Sequence, residues 1–232
     1  TASDHCGPSV LCAIAALPPI SSAVSAAIVV IIRVMPRSLA ARALFPSARW
    51  RGMAREMRLR PATPADADAL AAVGRTAFTD AFGHLYRPED LAAFFGEWRS
   101  TERMAAHLAD PQTRVTVAEE AGKIAAYCIT VYGKGFEERP APQPARPAYL
   151  GQLYCSKAAT GRGLGAALIE DAIAAAERRG CDAMQLSVYS GNIGAQRFYA
   201  RYGFAHVADI HFRVGAQLDD EYLYEKPLGE PA

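Results

Sequence analysis

Apolar residues recur along this chain at two spacings, and the change from one to the other marks out its elements. From Met57 the pattern gives a short strand and then a helix. Thr63 is placed to cap that helix, Pro64 suits its first turn, and Asp66 and Asp68 suit the positive end of its dipole. A second helical stretch runs from Pro88 to Leu108 and stops at Asp110-Pro111. TRVTVAEEAGKIAAYCITVYG reads as two strands turning at Glu120-Ala121-Gly122-Lys123. The following GKGFEERPAPQPARPA is too rich in Gly and Pro for a regular element, and serves either as a binding loop or as a passive surface excursion.

Beyond it, YLGQLYC is a strand. A helix then starts near Gly163 with Leu164, Leu168, Ala172 and Ala176 on one side. Arg178 and Arg179 complement its negative end, and Gly180 closes it. CDAMQLSVYS is the next strand. Asn192 caps a further helix whose Ala195, Phe198, Tyr199 and Tyr202 share a face, and Gly203 ends it. FAHVADIHFRVG and DEYLYEKPL are closing strands. The order is strand, two helices, hairpin, strand, helix, strand, helix and two strands, without a repeat. It predicts an α+β fold with a mixed, mostly antiparallel sheet and helices on both faces.

Composition changes this picture mainly at the N-terminus. Over the 232 residues the net charge is +1, and no Lys/Arg stripe suggests a nucleic-acid surface. The five cysteines are scattered, with no C-x-x-C pair or Cys/His grouping at metal-ligand spacing, so no metal site is expected and a reducing, cytoplasmic setting is. Residues 1–56 read differently from the rest. No charge occurs between His5 and Arg33, and residues 11–32 form a weak membrane-like segment broken by Pro18 and Pro19. No basic stretch precedes it. The expectation is a disordered or non-native extension over 1–56 and one domain over 57–232, with no membrane partner.

The chemistry is concentrated between Tyr149 and Phe204. Gly161-Arg162-Gly163-Leu164-Gly165-Ala166 superficially fits a dinucleotide fingerprint. Five residues separate its first glycine from the strand, however, and the ribose-binding acid is missing after the next strand. What remains is a helix start whose free N–H groups and small residues admit an anion, with Arg162 adding charge, or whose glycines merely permit tight packing. Tyr199 belongs to a packed stripe, yet its phenol stays protonated at neutral pH and can donate a proton.

Together these residues resemble the GNAT superfamily of acetyl-CoA-dependent N-acetyltransferases. The family pattern Q/R-x-x-G-x-G/A aligns with Thr160 to Gly165, with Thr160 replacing the long donor, and N-x-x-A-x-x-F-Y-x-x-x-G-F aligns with Asn192 to Phe204 without a gap. TAFTDAFGHLYRPEDLAAFF and HFRVGAQLDDEYLYEKPL further resemble bacterial polyamine acetyltransferases of the Pai type. The resemblance implies that acetyl-CoA lies along Leu153, Tyr154 and Cys155. Its pyrophosphate would rest on Gly161, Arg162, Gly163, Leu164, Gly165 and Ala166, and Asn192 would touch it from the other arm of the cleft. Tyr199 would protonate the departing sulfur. Direct transfer is expected rather than an acyl-Cys155 enzyme, since no base partner for that thiol is evident.

The acceptor implied is a primary amine, and a polyamine if the closer resemblance holds. Transfer to a protein N-terminus and a CoA-sensing module without turnover are the alternatives, and a homodimer is left open. An alkylammonium is only about one part in a thousand neutral at pH 7, equivalent to roughly 4 kcal/mol, so something must take its proton. A water chain, aided by Glu119 or an acid of the first helices, is the expected route. Asp80, Asp219 and Asp220 are candidates to attract a distant ammonium, while His84, His107, His206 and His211 lack mutual metal spacing.

Overall fold

The computed structural model describes residues 57–229; the expected extension 1–56, its apolar segment 11–32 and the last three residues lie outside them. Seven strands form one sheet: β1 (Met57–Pro61), β2 (Thr113–Glu120), β3 (Lys123–Tyr132), β4 (Pro147–Cys155), β5 (Ala183–Tyr189), β6 (Ala205–Val214) and β7 (Gln217–Pro227). Their order is β1-β2-β3-β4-β5-β7-β6, antiparallel at every neighbour except β4–β5. This is the expected mixed, mostly antiparallel sheet.

The helices are α1 (Ala67–Phe82), α2 (Pro88–Trp98), α3 (Thr101–Ala109), α4 (Leu164–Arg178) and α5 (Ile193–Arg201). A 3₁₀ turn over Pro64–Asp66 leads into α1, held by the Thr63 N–H and hydroxyl, which both donate to the Asp66 carboxylate. The Arg60 guanidinium, 2.8 Å from that carboxylate, holds its pKa well below the usual range. The single helix expected over Pro88–Leu108 is instead two. The Ser100 hydroxyl accepts from the Arg103 N–H at 3.2 Å and caps α3, so the chain turns at Arg99–Ser100 although the apolar spacing runs on through the break.

Two cores result, one on each face. Leu70, Phe78, Phe94 and Met104 from α1–α3 pack on Val117, Ile129, Tyr154 and Phe212. Each such side chain contributes about 1.5–3 kcal/mol by leaving water. Gly74 lets α1 approach the sheet, since a Cβ there would stand 2.4 Å from the Tyr127 hydroxyl. On the other face, Leu168, Ile169, Phe198 and Tyr199 of α4 and α5 meet Met184, Leu186 and Val188 of β5. Among the described residues no helix is long and apolar enough to cross a membrane.

The β2–β3 turn is as expected, with Ala121 and Gly122 both at positive φ, the conformation a two-residue hairpin needs. The Gly/Pro-rich loop after β3 is irregular but anchored: Arg139 pairs with Glu225 at 2.8 Å, and the Phe136 N–H donates to Gln185 Oε1 at 2.8 Å. Those anchors sit at the end of β5 that pairs with β4. At the other end, the β6–β7 turn is tied to the start of α2 by the Ala216 N–H, which donates to Asp90 at 2.7 Å.

Candidate active site

The site follows from a strand pair that fails to stay paired. β4 and β5 are in register only at Pro147–Ala183, Ala148–Met184 and Tyr149–Gln185, after which they part. A bulge accompanies the separation. Ile129 of β3 faces Gln152 and Thr130 faces Leu150, so Gly151 is the extra residue on β4, and such an insertion bends and re-aims a strand. The outcome is a gap between Leu150–Cys155 and Leu186–Tyr189, open toward the carboxyl ends of both strands.

The β4 side of that gap carries free main-chain donors. Ser156 donates to Ala125 of β3 at 2.8 Å, and antiparallel ladders alternate. Tyr154 therefore faces β3, while the N–H groups of Leu153 and Cys155 face the gap. The side chains of Leu153, Tyr154 and Cys155 are buried, so what the strand presents there is backbone. Burial pushes the Cys155 thiol up to about 12, against a weaker lowering by the Gly165 N–H beside it. A thiol so fully protonated is no nucleophile, in keeping with direct transfer.

Past β4, Gly161 and Gly163 adopt left-handed φ of +79° and +86°, and a Cβ at either would meet nothing within 4 Å. Their need for glycine is thus one of backbone conformation, and the space beside them is open to a ligand. Gly163 is the N-cap of α4, whose first helical bond runs from Ala167 to Gly163 at 3.0 Å. The N–H groups of Leu164, Gly165 and Ala166 have no partner within the helix and gather its positive dipole end. The Leu164 side chain itself is core.

Some expected contributors are otherwise engaged. The Arg162 guanidinium is paired with Glu120, one bond being 2.6 Å, so its charge at the cradle is largely countered. The Thr160 hydroxyl donates to the Ser156 carbonyl at 3.2 Å. Asn192 lies at the end of the β5 arm, where its Oδ1 accepts from the Ala195 N–H at 3.0 Å and caps α5. Glu119 is bound to Arg60 at 2.6 Å on the β1–β2 edge, away from the gap, and Asp80 is exposed on α1. Asp220 pairs with His211 at 3.1 Å on the surface. None of these three acids is placed to serve the gap.

Tyr199 is fully buried, its ring between Phe198 and Phe204, yet its hydroxyl has no hydrogen-bond partner. Burial first, then the neighbouring Cys128, Cys155 and Tyr154, raise its pKa well above 10. An unpaired buried hydroxyl is destabilising by about 1–3 kcal/mol, and the groups that act on this one are Cys128 of β3 and Cys155 and Tyr154 of β4.

On the opposite face of the gap stands a group that periodicity alone did not single out. The Tyr86 hydroxyl, from the α1–α2 connection, donates to the Asp219 carboxylate of β7. Two residues on, Glu221 is 1% exposed with its Oε2 unpartnered, and the Ser187 hydroxyl of β5 is close by. Burial, reinforced by Asp219 and opposed by Ser187, pushes Glu221 up to about 7. Its charge also reaches Tyr86 and, across the gap, Tyr154 of β4. The signal was present in QLDDEYLYEKP, where strict alternation puts Glu221 on the same buried face as Leu223. A cleft of about 450 Å³ lies elsewhere, between Leu108, Arg114, Tyr132 and the carboxyl end of α4.

The model of the acetyltransferase (GNAT) family matches residues 76–204. An uncharacterised N-acetyltransferase of Mycobacterium bovis is 32% identical over 163 residues, covering 70% of this chain and 98% of that protein. The PaiA N-acetyltransferase of Thermoplasma acidophilum, solved with coenzyme A, superposes with a TM-score of 0.60 at 18% identity, over 74% of this chain and 99% of that one. The ribosomal-protein-S18-alanine N-acetyltransferase of Escherichia coli gives 0.56 at 18% identity, over 76% and 97%. At these identities the two structures speak for the fold.

Proposed function

The chain belongs to the acetyltransferase (GNAT) family, whose members are acetyl-CoA-dependent acyltransferases, and from that premise we propose that it acetylates a primary amine, specifically a polyamine. The observation that carries the acceptor class is the group of Tyr86, Tyr189, Asp219 and Glu221 on the α1–α3 face of the gap. Carboxylates attract an ammonium, and tyrosine faces accept one by cation–π attraction. The Pai-type resemblance of the flanking segments points the same way.

The residues present suit acetyl-CoA. The open space at Gly161 and Gly163 and the N–H groups of Leu164 and Ala166 suit a pyrophosphate. The outward N–H groups of Leu153 and Cys155 suit an extended pantetheine, added along the strand edge. When bound, acetyl-CoA supplies the activated acetyl group. The Cys155 N–H would then stabilise charge developing on the acyl oxygen, and the Tyr199 hydroxyl would protonate the departing sulfur. Asn192 contributes by fixing the start of α5, and so the position of Tyr199.

The test is consumption of acetyl-CoA by the full chain with spermidine, spermine, a lysine peptide and a peptide with a free N-terminus. Turnover concentrated on the polyamines supports the reading. Turnover on the N-terminal peptide alone replaces it with protein N-terminal acetylation. Silence with every amine, despite acetyl-CoA raising the melting temperature, favours a CoA-sensing module.

A further inference from the structure

The inner face of β7 carries Asp219, Glu221, Leu223 and Glu225 in alternation, and all four are buried. Three of them have an evident structural place. Asp219 accepts from the Tyr86 hydroxyl and, at 2.7 Å, from the Gln217 amide. Glu225 is held by Arg139 at 2.8 Å and by Gln185 at 2.8 Å. Leu223 is core. Glu221 has no cation paired with it, and one of its oxygens bonds to nothing. Burying a carboxylate in this way is costly, and a fold retains it where the open valence is used.

Position says what uses it. Glu221 stands opposite Tyr189 in the β5–β7 ladder, beside the part of β5 that has already parted from β4. The groups facing it are Asp219 on β7, Ser187 and Tyr189 on β5, Tyr86 from the α1–α2 connection, and Tyr154 on β4. The Tyr154 hydroxyl is bonded at 2.6 Å to Arg99 at the end of α2. Ile210 is its neighbour on β6. Tyr86 and Tyr189 are half-buried, so they are the groups around Glu221 that reach solvent. Tyr199 lies under α5, on the other face of the same gap. An amine entering past Tyr86 would meet Glu221 before it met a thioester held along β4.

We propose that Glu221 takes the proton from the acceptor ammonium, which makes it a catalytic residue of this acetyltransfer; the inference rests on the reading of the gap as the place where an amine is acetylated. The carboxylate receives one ammonium proton and leaves a neutral nitrogen with a lone pair. That nitrogen bonds to the acetyl carbon as the carbon–sulfur bond breaks, its electron pair passing to sulfur. Tyr199 supplies the proton the sulfur takes up. The proton shed by the amide nitrogen restores the phenol, and the one on Glu221 leaves to solvent. Ammonium and acetyl-CoA thus become acetamide, CoA thiol and one proton. The raised pKa of Glu221, about 7, matches a base that must be empty at neutral pH yet strong enough to compete for the proton.

The experiment is the pH dependence of kcat/KM for spermidine with the wild-type chain and with Glu221→Gln, alongside far-UV circular dichroism and melting of both. Wild type should rise to a plateau near pH 7, where the base has emptied. Glu221→Gln should fold and bind acetyl-CoA as before, lose about 100-fold or more at neutral pH, and show no plateau. Its kcat/KM should instead climb roughly tenfold per pH unit as free amine accumulates, closing on wild type. Parallel profiles, or equal rates, would overturn the proposal, as would a fall in acetyl-CoA affinity large enough to account for the lost rate. Glu221→Asp, which keeps the carboxylate but shortens its reach, should retain the plateau at a lower rate. If the wild-type chain acetylates no amine at any pH, it is the acceptor reading that fails, and this assignment falls with it.

Discussion

Replacing Glu221 by Gln should stabilise the protein, and by an amount that depends on pH. The unfolded carboxyl titrates near 4.5 and the folded one near 7, raised by burial and by Asp219. A raised acid pKa means that the folded state holds its proton more tightly. The folded state therefore loses stability as pH climbs from 4.5 to 7, and the loss is complete above that. At about 1.4 kcal/mol per pH unit the full penalty is roughly 3 kcal/mol. Gln fills nearly the same volume and carries no charge, so the penalty should vanish in the variant. Urea melts near pH 8 should show Glu221→Gln more stable by up to about 3 kcal/mol, or roughly 6–12 °C in Tm. Near pH 4 the two proteins should be alike, since wild type is then protonated in both states. A stability difference that does not vary with pH would refute the reasoning: Glu221 would then be ionised without penalty, and its orphaned oxygen would need another explanation.

Other changes test the rest of the site and the packing that holds it. Tyr199→Phe removes an unpartnered buried hydroxyl, so stability should be unchanged or higher by about 1 kcal/mol, while turnover should fall about 100-fold with acetyl-CoA affinity kept. Denaturant melts and initial rates on one preparation would check both halves. Gly163→Ala places a side chain at φ +86°, at a cost of about 1–2 kcal/mol from strain alone since no contact is made, and should raise the KM for acetyl-CoA more than it lowers kcat. Gly74→Ala sets a methyl 2.4 Å from the Tyr127 hydroxyl, and should destabilise by about 1–3 kcal/mol, measurable as a lower urea midpoint.

Much of this was legible because local signals and tertiary structure agree. Gly163 opened α4 and Gly180 closed it as read, the latter with the Cys181 N–H bonded to the Ala176 carbonyl at 3.0 Å. Asn192 capped α5, and the Ala121-Gly122 turn made its hairpin. Where the reading missed, a local bond outweighed periodicity or a partner arrived from far along the chain. Ser100 split a helix whose apolar stripe looked continuous. Arg162 met Glu120, 42 residues away in sequence, and Glu119 met Arg60; no spacing rule reveals such pairs. Glu221 needed both kinds of knowledge. Alternation on β7 places it inward, but only the sheet order, which brings β7 beside β5 and β5 beside the parted β4, turns an inward acid into one that faces the gap.

The most direct test of the account is a crystal structure of the full chain with a CoA–spermidine conjugate joined through an acetyl bridge. The account predicts the pyrophosphate on the N–H groups of Leu164 and Ala166 beside Gly161 and Gly163, and the pantetheine along Leu153 and Cys155. It also predicts the sulfur within hydrogen-bond reach of Tyr199, and the bridging amine nitrogen facing Glu221 between Tyr86 and Tyr189. A conjugate seated outside the β4–β5 gap, or one whose amine end leaves by a path that never approaches Glu221, would contradict it.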